Sequence, residues 1–99
     1  MKKDMTQEAA EAIGIHALSY LMKDHDLIGE FLATSGLGPK ELKSHIQNPA
    51  FLGAVLDFLI ARAELLSAFA KEHDITPKTV LNARLLLPGA DQEFWVFPT

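Results

Sequence analysis

The stretch from Pro49 to His73, PAFLGAVLDFLIARAELLSAFAKEH, constrains the fold more than any other part of the chain. Pro49 suits the first turn of a helix, where its missing N–H group is not needed. Asp57, Arg62 and Glu64 interrupt the stretch, whereas a membrane-spanning helix needs about 20 mostly apolar residues. The stretch therefore predicts the centre of a small all-α core and no membrane span. Its apolar residues recur at helical spacing: Phe51, Leu52, Val55, Leu56, Leu59, Ile60, Leu65, Leu66 and Phe69.

The length and composition predict one small domain. The chain has 99 residues, of which 48% are hydrophobic, enough for a single core without staples. The sequence contains no cysteine, which excludes disulfides, cysteine-ligated zinc and thiol catalysis. Acidic residues interrupt the first 20 positions, so no signal peptide is predicted and we expect a cytoplasmic protein. We assign residues 1–89 to one helical domain and residues 90–99 to a tail.

Turn and capping signals divide the domain into about six short helices. The residues from 50 to 73 could instead form one unbroken helix, because Ala61, Arg62, Ala63 and Glu64 are all good helix formers. The predicted helices are the following: Thr6 to the turn at Lys23–Asp26, Leu27–Thr34, Lys40–Gln47 after Pro39, Ala50 to about Ala61, Glu64–His73, and Pro77 to about Leu86.

The sequence resembles itself when it is shifted by 38 residues. Residues 13–46 align with residues 51–84 without a gap, and Phe31 then falls on Phe69. Two Pro-Lys pairs, at positions 39 and 77, also coincide. This register predicts two related three-helix units that share one core.

The last ten residues, ADQEFWVFPT, lack a helical period. Phe94, Trp95, Val96 and Phe97 are typical of an extended segment. Three aromatic side chains in ten residues suggest that the segment covers the core or docks on a partner. Phe94, Trp95 and Phe97 are therefore the candidate protein-docking residues, and packing within the chain and between two chains both remain open.

No residue pattern indicates catalysis. Asp24, His25 and Asp26 lie at a predicted helix boundary, where aspartate acts as a cap. His16, His45 and His73 form no metal-binding pair of known spacing, although His16 borders an apolar stripe and is expected to be partly buried. We therefore expect no enzyme activity, no metal, no cofactor and no small-molecule ligand.

The segment FAKEHDITPKTVLNAR, from Phe69 to Arg84, resembles the helix-turn-helix of response-regulator DNA-binding domains of the LuxR type. The resemblance implies that Lys78, Thr79 and Asn82 would face the DNA. It covers about 16 residues, and it departs from the family at His73 and Asp74, where an apolar residue and a glycine are usual. Lys78 and Arg84 are the cations of the second helix. With a net charge of −4 and a pI of about 5.4, the composition does not favour nucleic acid.

A wider resemblance covers nearly the whole chain. The order of the segments DHDLIGEFLATSGLGP, NPAFLGAVLDFLI and AELLSAFAKEHDITP, followed by LLLPG, resembles a family of short, uncharacterised bacterial proteins catalogued as DUF3572. The resemblance implies an all-helical fold and no assigned activity. The residues that carry it are Leu27, Phe31, Leu32, Ser35, Gly36, Leu37, Pro39, Pro49, Phe51, Leu56, Phe58, Leu59, Phe69 and Pro77.

Two functions follow as hypotheses. The first is a small helical protein–protein interaction module without catalytic activity, which binds another protein or itself. The alternative is a DNA-binding or transcription-associated protein that uses Lys78, Thr79 and Asn82. A basic face around Lys78 and Arg84 would favour the alternative, and an apolar patch would favour a protein partner.

Overall fold

The computed structural model describes residues 5–46 and 48–88. Most of these residues form helices, which confirms the predicted all-α fold. None of the helices in this part of the chain is long and apolar enough to cross a membrane. The helices are α1 (Gln7–Met22), α2 (His25–Ser35), α3 (Pro39–His45), α4 (Pro49–Ile60), α5 (Ala63–Glu72) and α6 (Pro77–Leu85).

Helix α4 lies at the centre of the structure. It packs against α1, α5 and α6, and α1 also packs against α2 and α6. Helices α1 and α4 approach closely because Gly14 has no side chain: a Cβ atom there would lie 2.8 Å from the Cβ of Leu52. Two aromatic side chains predicted to be buried, Phe31 and Phe69, belong to the same core. The buried residues of α4 are Ala50, Phe51, Leu52, Gly53, Val55, Leu56, Phe58 and Leu59.

Side-chain caps explain where several helices begin. The Asp24 carboxylate accepts hydrogen bonds from the N–H groups of Asp26 and Leu27, so it caps α2 as predicted. Thr76 accepts a hydrogen bond from the N–H of Thr79 and caps α6. Each cap satisfies a backbone donor that has no partner within the helix. Pro39 and Pro77 open α3 and α6, which confirms their predicted places in the first turn.

The chain breaks between α4 and α5, so the hypothesis of one unbroken helix from 50 to 73 is wrong. Arg62 has an extended backbone, with φ −121° and ψ 95°. A continuous helix would carry Phe69 about 14 Å beyond Ile60 along the axis. The break instead returns α5 to the core, where Phe69 is fully buried.

The helix boundaries follow the predicted register of 38 residues. Helices α2 and α5 begin at positions 25 and 63, and α3 and α6 begin at positions 39 and 77. Helix α1 departs from this register, because it begins one turn earlier than α4 relative to the shift. A structural repeat stays a prediction, now supported by the boundaries.

Most predicted boundaries lie within two residues of the observed ones. Helix α2 begins at His25, two residues before the predicted Leu27, because Asp24 is the cap. The predicted end of α3 at Gln47 lies outside the described residues, as does the tail at 90–99 that contains Phe94, Trp95 and Phe97.

Candidate functional site

Helices α5 and α6 are joined by a tight turn of the kind that the helix-turn-helix resemblance implies. Asp74 adopts the left-handed conformation with φ 59°. The N–H of Ile75 donates to the carbonyl of Ala70 at 2.9 Å, and the N–H of Asp74 donates to that of Lys71 at 3.2 Å. This pair of bonds is a Schellman motif, in which the left-handed position is usually glycine. Asp74 therefore departs from the family in residue type but keeps the backbone conformation.

One side of α6 faces away from the core. We call Lys78, Leu81, Asn82 and Leu85 the α6 outward face; they are spaced as one stripe of a helix, and all four are exposed. Leu85 is 81% exposed and Leu81 is 43% exposed. The face therefore combines two polar side chains with two leucines.

Thr79 is not part of this face. Its side chain is half-buried, and its hydroxyl lies 3.0 Å from the hydroxyl of Thr76, within the cap of α6. Of the three candidate nucleic-acid contacts, the structure leaves Lys78 and Asn82 outward and uses Thr79 locally.

Arg84 corrects the expectation of a basic face. The sequence suggested that it would be a second cation beside Lys78, but the residue is only 7% exposed. Its Nε donates to Asp57 Oδ1 at 2.7 Å, and its Nη1 donates to the Leu87 carbonyl at 2.9 Å. The guanidinium is thus neutralised inside the bundle, because a buried charge needs a partner.

Acidic groups lie close to the cations at this end of the molecule. Glu72 accepts a hydrogen bond from Lys23 at 2.8 Å, and this bond holds the pKa of the Glu72 carboxyl below its usual range. Asp74 is also exposed beside it. Lys78 is the cation on the α6 outward face itself, which gives little attraction for a polyanion.

A second surface feature lies between α2 and α4. We call it the α2–α4 groove, and its volume is about 300 Å³. Phe31 and Phe58 meet edge to face in its wall, with ring centroids 5.5 Å apart. The residues that line it are Phe31, Thr34, Ser35, Ala54, Asp57, Phe58, Ala61 and Arg62.

Arg62 forms one edge of the α2–α4 groove. Its guanidinium carbon lies 3.7 Å from the centroid of the Phe58 ring, within the range of a cation–π contact. Its Nη2 donates to Glu30 Oε2 at 2.7 Å, and its Nη1 donates to the Phe58 carbonyl at 3.1 Å. The break between α4 and α5 therefore places a held cation beside an aromatic wall.

The histidines form no metal site within the described residues. No group of three or more histidine, aspartate or glutamate side chains converges there. His16 is exposed, contrary to the expectation of partial burial. It stacks on His73, with ring centroids 5.4 Å apart, because α1 passes the end of α5.

Sequence reasoning missed both the ion pair of Asp57 with Arg84 and the groove. Asp57 was expected only as a solvent-exposed carboxylate, and it is exposed. A charged residue at each of positions 57 and 84, on helices of strong apolar character, was the available signal. The groove depends on how α2 crosses α4, which no local pattern encodes.

The comparisons with known proteins agree with the wider resemblance of the sequence. Neither the curated proteins nor the solved structures include a significant match to the chain. The family model described as "Protein of unknown function (DUF3572)" matches residues 7–90, which include α1 to α6. The chain therefore belongs to the DUF3572 family.

Proposed function

We propose that the protein is a non-catalytic helical interaction module that binds another polypeptide through the α6 outward face. The proposal includes a cytoplasmic location, as the sequence predicts. The observation that carries it is the exposure of Leu81 and Leu85 on the outer side of a helix that is otherwise well packed.

The leucines have a structural alternative that they do not use. The other side of α6 buries Val80, Ala83 and Arg84 in the bundle, so the core has no need of Leu81 or Leu85. An amphipathic partner helix or a hydrophobic groove would bury both, since they are spaced at i and i+4. At about 25 cal/mol per Å², covering two leucines would supply roughly 3–6 kcal/mol of association free energy before ordering costs.

The same face supports duplex DNA less well. A helix that reads the major groove presents polar side chains to base edges and several cations to phosphates. Here the exposed cation of the face is Lys78, while Arg84 is buried and paired with Asp57. The helix-turn-helix turn at Asp74 is the observation that keeps DNA binding as the second candidate.

Affinity purification from cells that express the chain naturally tests the proposal. We expect a defined protein to co-purify with the wild-type chain and to be lost in the double variant Leu81→Ser/Leu85→Ser. The matched control is Ile15→Ser/Met22→Ser, which removes two other exposed apolar side chains. All four positions are exposed, so the substitutions should change stability little. Loss of the partner in both double variants, or in neither, would contradict the proposal.

Titration of labelled duplex DNA tests the second candidate. Non-specific DNA binding has a Kd of typically 10⁻⁴ to 10⁻⁶ M at physiological salt, and we expect this protein to bind no more tightly than that. Fluorescence anisotropy at several salt concentrations measures it. Micromolar or tighter binding at about 150 mM salt that Lys78→Ala weakens would favour DNA over a protein partner.

A further inference from the structure

The described chain leaves the bundle beside the α2–α4 groove. A Cβ atom on Gly53 would lie 2.8 Å from the carbonyl oxygen of Pro88, so residue 88 is held against α4. Arg84 also fixes this end, because its Nη1 lies 2.9 Å and 3.5 Å from the carbonyl oxygens of Leu87 and Pro88. Ala54, the next residue of α4, lines the groove.

Residues 89–99 are long enough to reach every part of the groove. The groove residues of α4 extend from Ala54 to Ala61, which is about 10 Å along a helix axis. Seven residues separate Pro88 from Trp95, and an extended chain of that length spans up to about 25 Å. The distance from the exit point therefore places Trp95 and its neighbours within reach.

The chemistry of the segment matches that of the groove. Phe94, Trp95 and Phe97 suit a wall made by Phe31 and Phe58, since aromatic rings pack favourably edge to face. Arg62 stands at the groove edge, and the segment carries the acidic residues Asp91 and Glu93. A volume of about 300 Å³ is at the lower end of the roughly 300–1,000 Å³ of ligand sites, a size suited to one or two side chains.

From this placement we propose that the α2–α4 groove is the binding site for residues 89–99 of the same chain, with Trp95 as the inserted side chain. This inference is independent of the proposed function, because it uses the face formed by α2 and α4 and not the α6 outward face. It assigns the candidate docking residues Phe94, Trp95 and Phe97 to an intramolecular contact.

Trp95 is the only tryptophan of the chain, so its fluorescence reports the contact directly. The test measures emission wavelength and acrylamide quenching in the full chain. We expect a blue-shifted emission and protection from the quencher. Ala61→Arg places a large charged side chain in the groove from an exposed position and should raise the quenching constant several-fold. Ala68→Arg, at an exposed position of α5 outside the groove, is the matched control and should leave the quenching constant unchanged.

A second measurement excludes loss of folding as the cause. Circular dichroism should show the same helical content in Ala61→Arg and in the wild-type chain, and deletion of residues 93–99 should shift the NMR methyl signals of Ala54 and Ala61. Water-exposed Trp95 emission in the wild type would overturn the proposal. Protection that persists in Ala61→Arg would overturn it as well, since Trp95 would then be buried elsewhere. Protection that disappears on dilution, together with a dimer in sedimentation, would replace it by exchange between two chains.

Discussion

The guanidinium of Arg84 is held inside the bundle by one carboxylate and by the carbonyl oxygens that follow α6. Asp57 reaches it from α4, with its own side chain 55% exposed. Among the described residues, no buried side-chain nitrogen or oxygen lacks a hydrogen-bond partner. This single interaction joins the central helix to the end of the last one, and it removes a cation from the surface.

Asp57→Ala should lower the free energy of unfolding by about 1–3 kcal/mol, because it takes a charged acceptor from a buried donor. Glu30→Ala is the control: it breaks the more exposed ion pair with Arg62, and such pairs contribute at most about 1 kcal/mol. Urea denaturation measures both. A double-mutant cycle with Arg84→Met should return a coupling of about 0.5–3 kcal/mol, and a coupling near zero would show that water replaces Asp57.

Asp74 occupies the left-handed position of the turn between α5 and α6. Asp74→Gly should leave stability unchanged or raise it by up to about 1 kcal/mol, and Asp74→Val should lower it, since only glycine adopts this conformation freely. Lys71→Gly, on the exposed side of α5, is the comparison and should cost about 1 kcal/mol as an ordinary interior helix substitution. Thermal unfolding of the three variants checks the order. Equal losses in Asp74→Gly and Lys71→Gly would contradict the assigned backbone conformation.

At the scale of the helices, local chemistry decides the boundaries and close approach decides the packing. The caps at Thr6, Asp24, Asn48 and Thr76 each accept a hydrogen bond from the first turn. Such signals are short-range, so the sequence was sufficient to predict them. The break at Arg62 has no such cap. It follows from the return of Phe69 to the core, which explains why the residue types around position 62 favoured a continuous helix.

Two glycines should respond in opposite ways to the same substitution. Gly14→Ala brings a Cβ atom to 2.8 Å from the Cβ of Leu52, and overpacking of this kind costs about 1–3 kcal/mol. Gly29→Ala on α2 meets nothing within 4 Å, so it should stabilise the protein by up to about 1 kcal/mol through helix propensity. Chemical denaturation of both variants is the measurement. A stabilising Gly14→Ala would mean that α1 and α4 are not in close contact.

At the scale of the whole molecule, the fold class and the helix order were predictable from the sequence. Helical period, proline positions and capping residues are local properties. The α2–α4 groove, the burial of Arg84 and the exposure of Leu85 were not predictable, because each depends on which side of a helix meets a neighbour. The shift of 38 residues helps only in part: it matches the helix starts, yet it pairs the buried Arg84 with the half-buried Ile46.

The same distinction applies to the candidate sites. Lys78 and Asn82 were placed on the outward side of α6 by analogy, and they are exposed there. The leucines between and beyond them went unremarked, because any short helix has some leucines. Their outward position became visible only once Val80 and Ala83 were seen to fill the core. The stripe of Lys78, Leu81, Asn82 and Leu85 therefore changes the balance from DNA to protein.

Photo-crosslinking in living cells tests that central claim most directly. A photoreactive amino acid replaces Leu85 in one strain and Met22, the exposed apolar residue at the end of α1, in another. The account predicts a discrete protein adduct from position 85 that Leu81→Ser weakens, and no such adduct from position 22. An adduct with DNA from position 85, or the same adducts from both positions, would contradict the assignment of the α6 outward face to a protein partner.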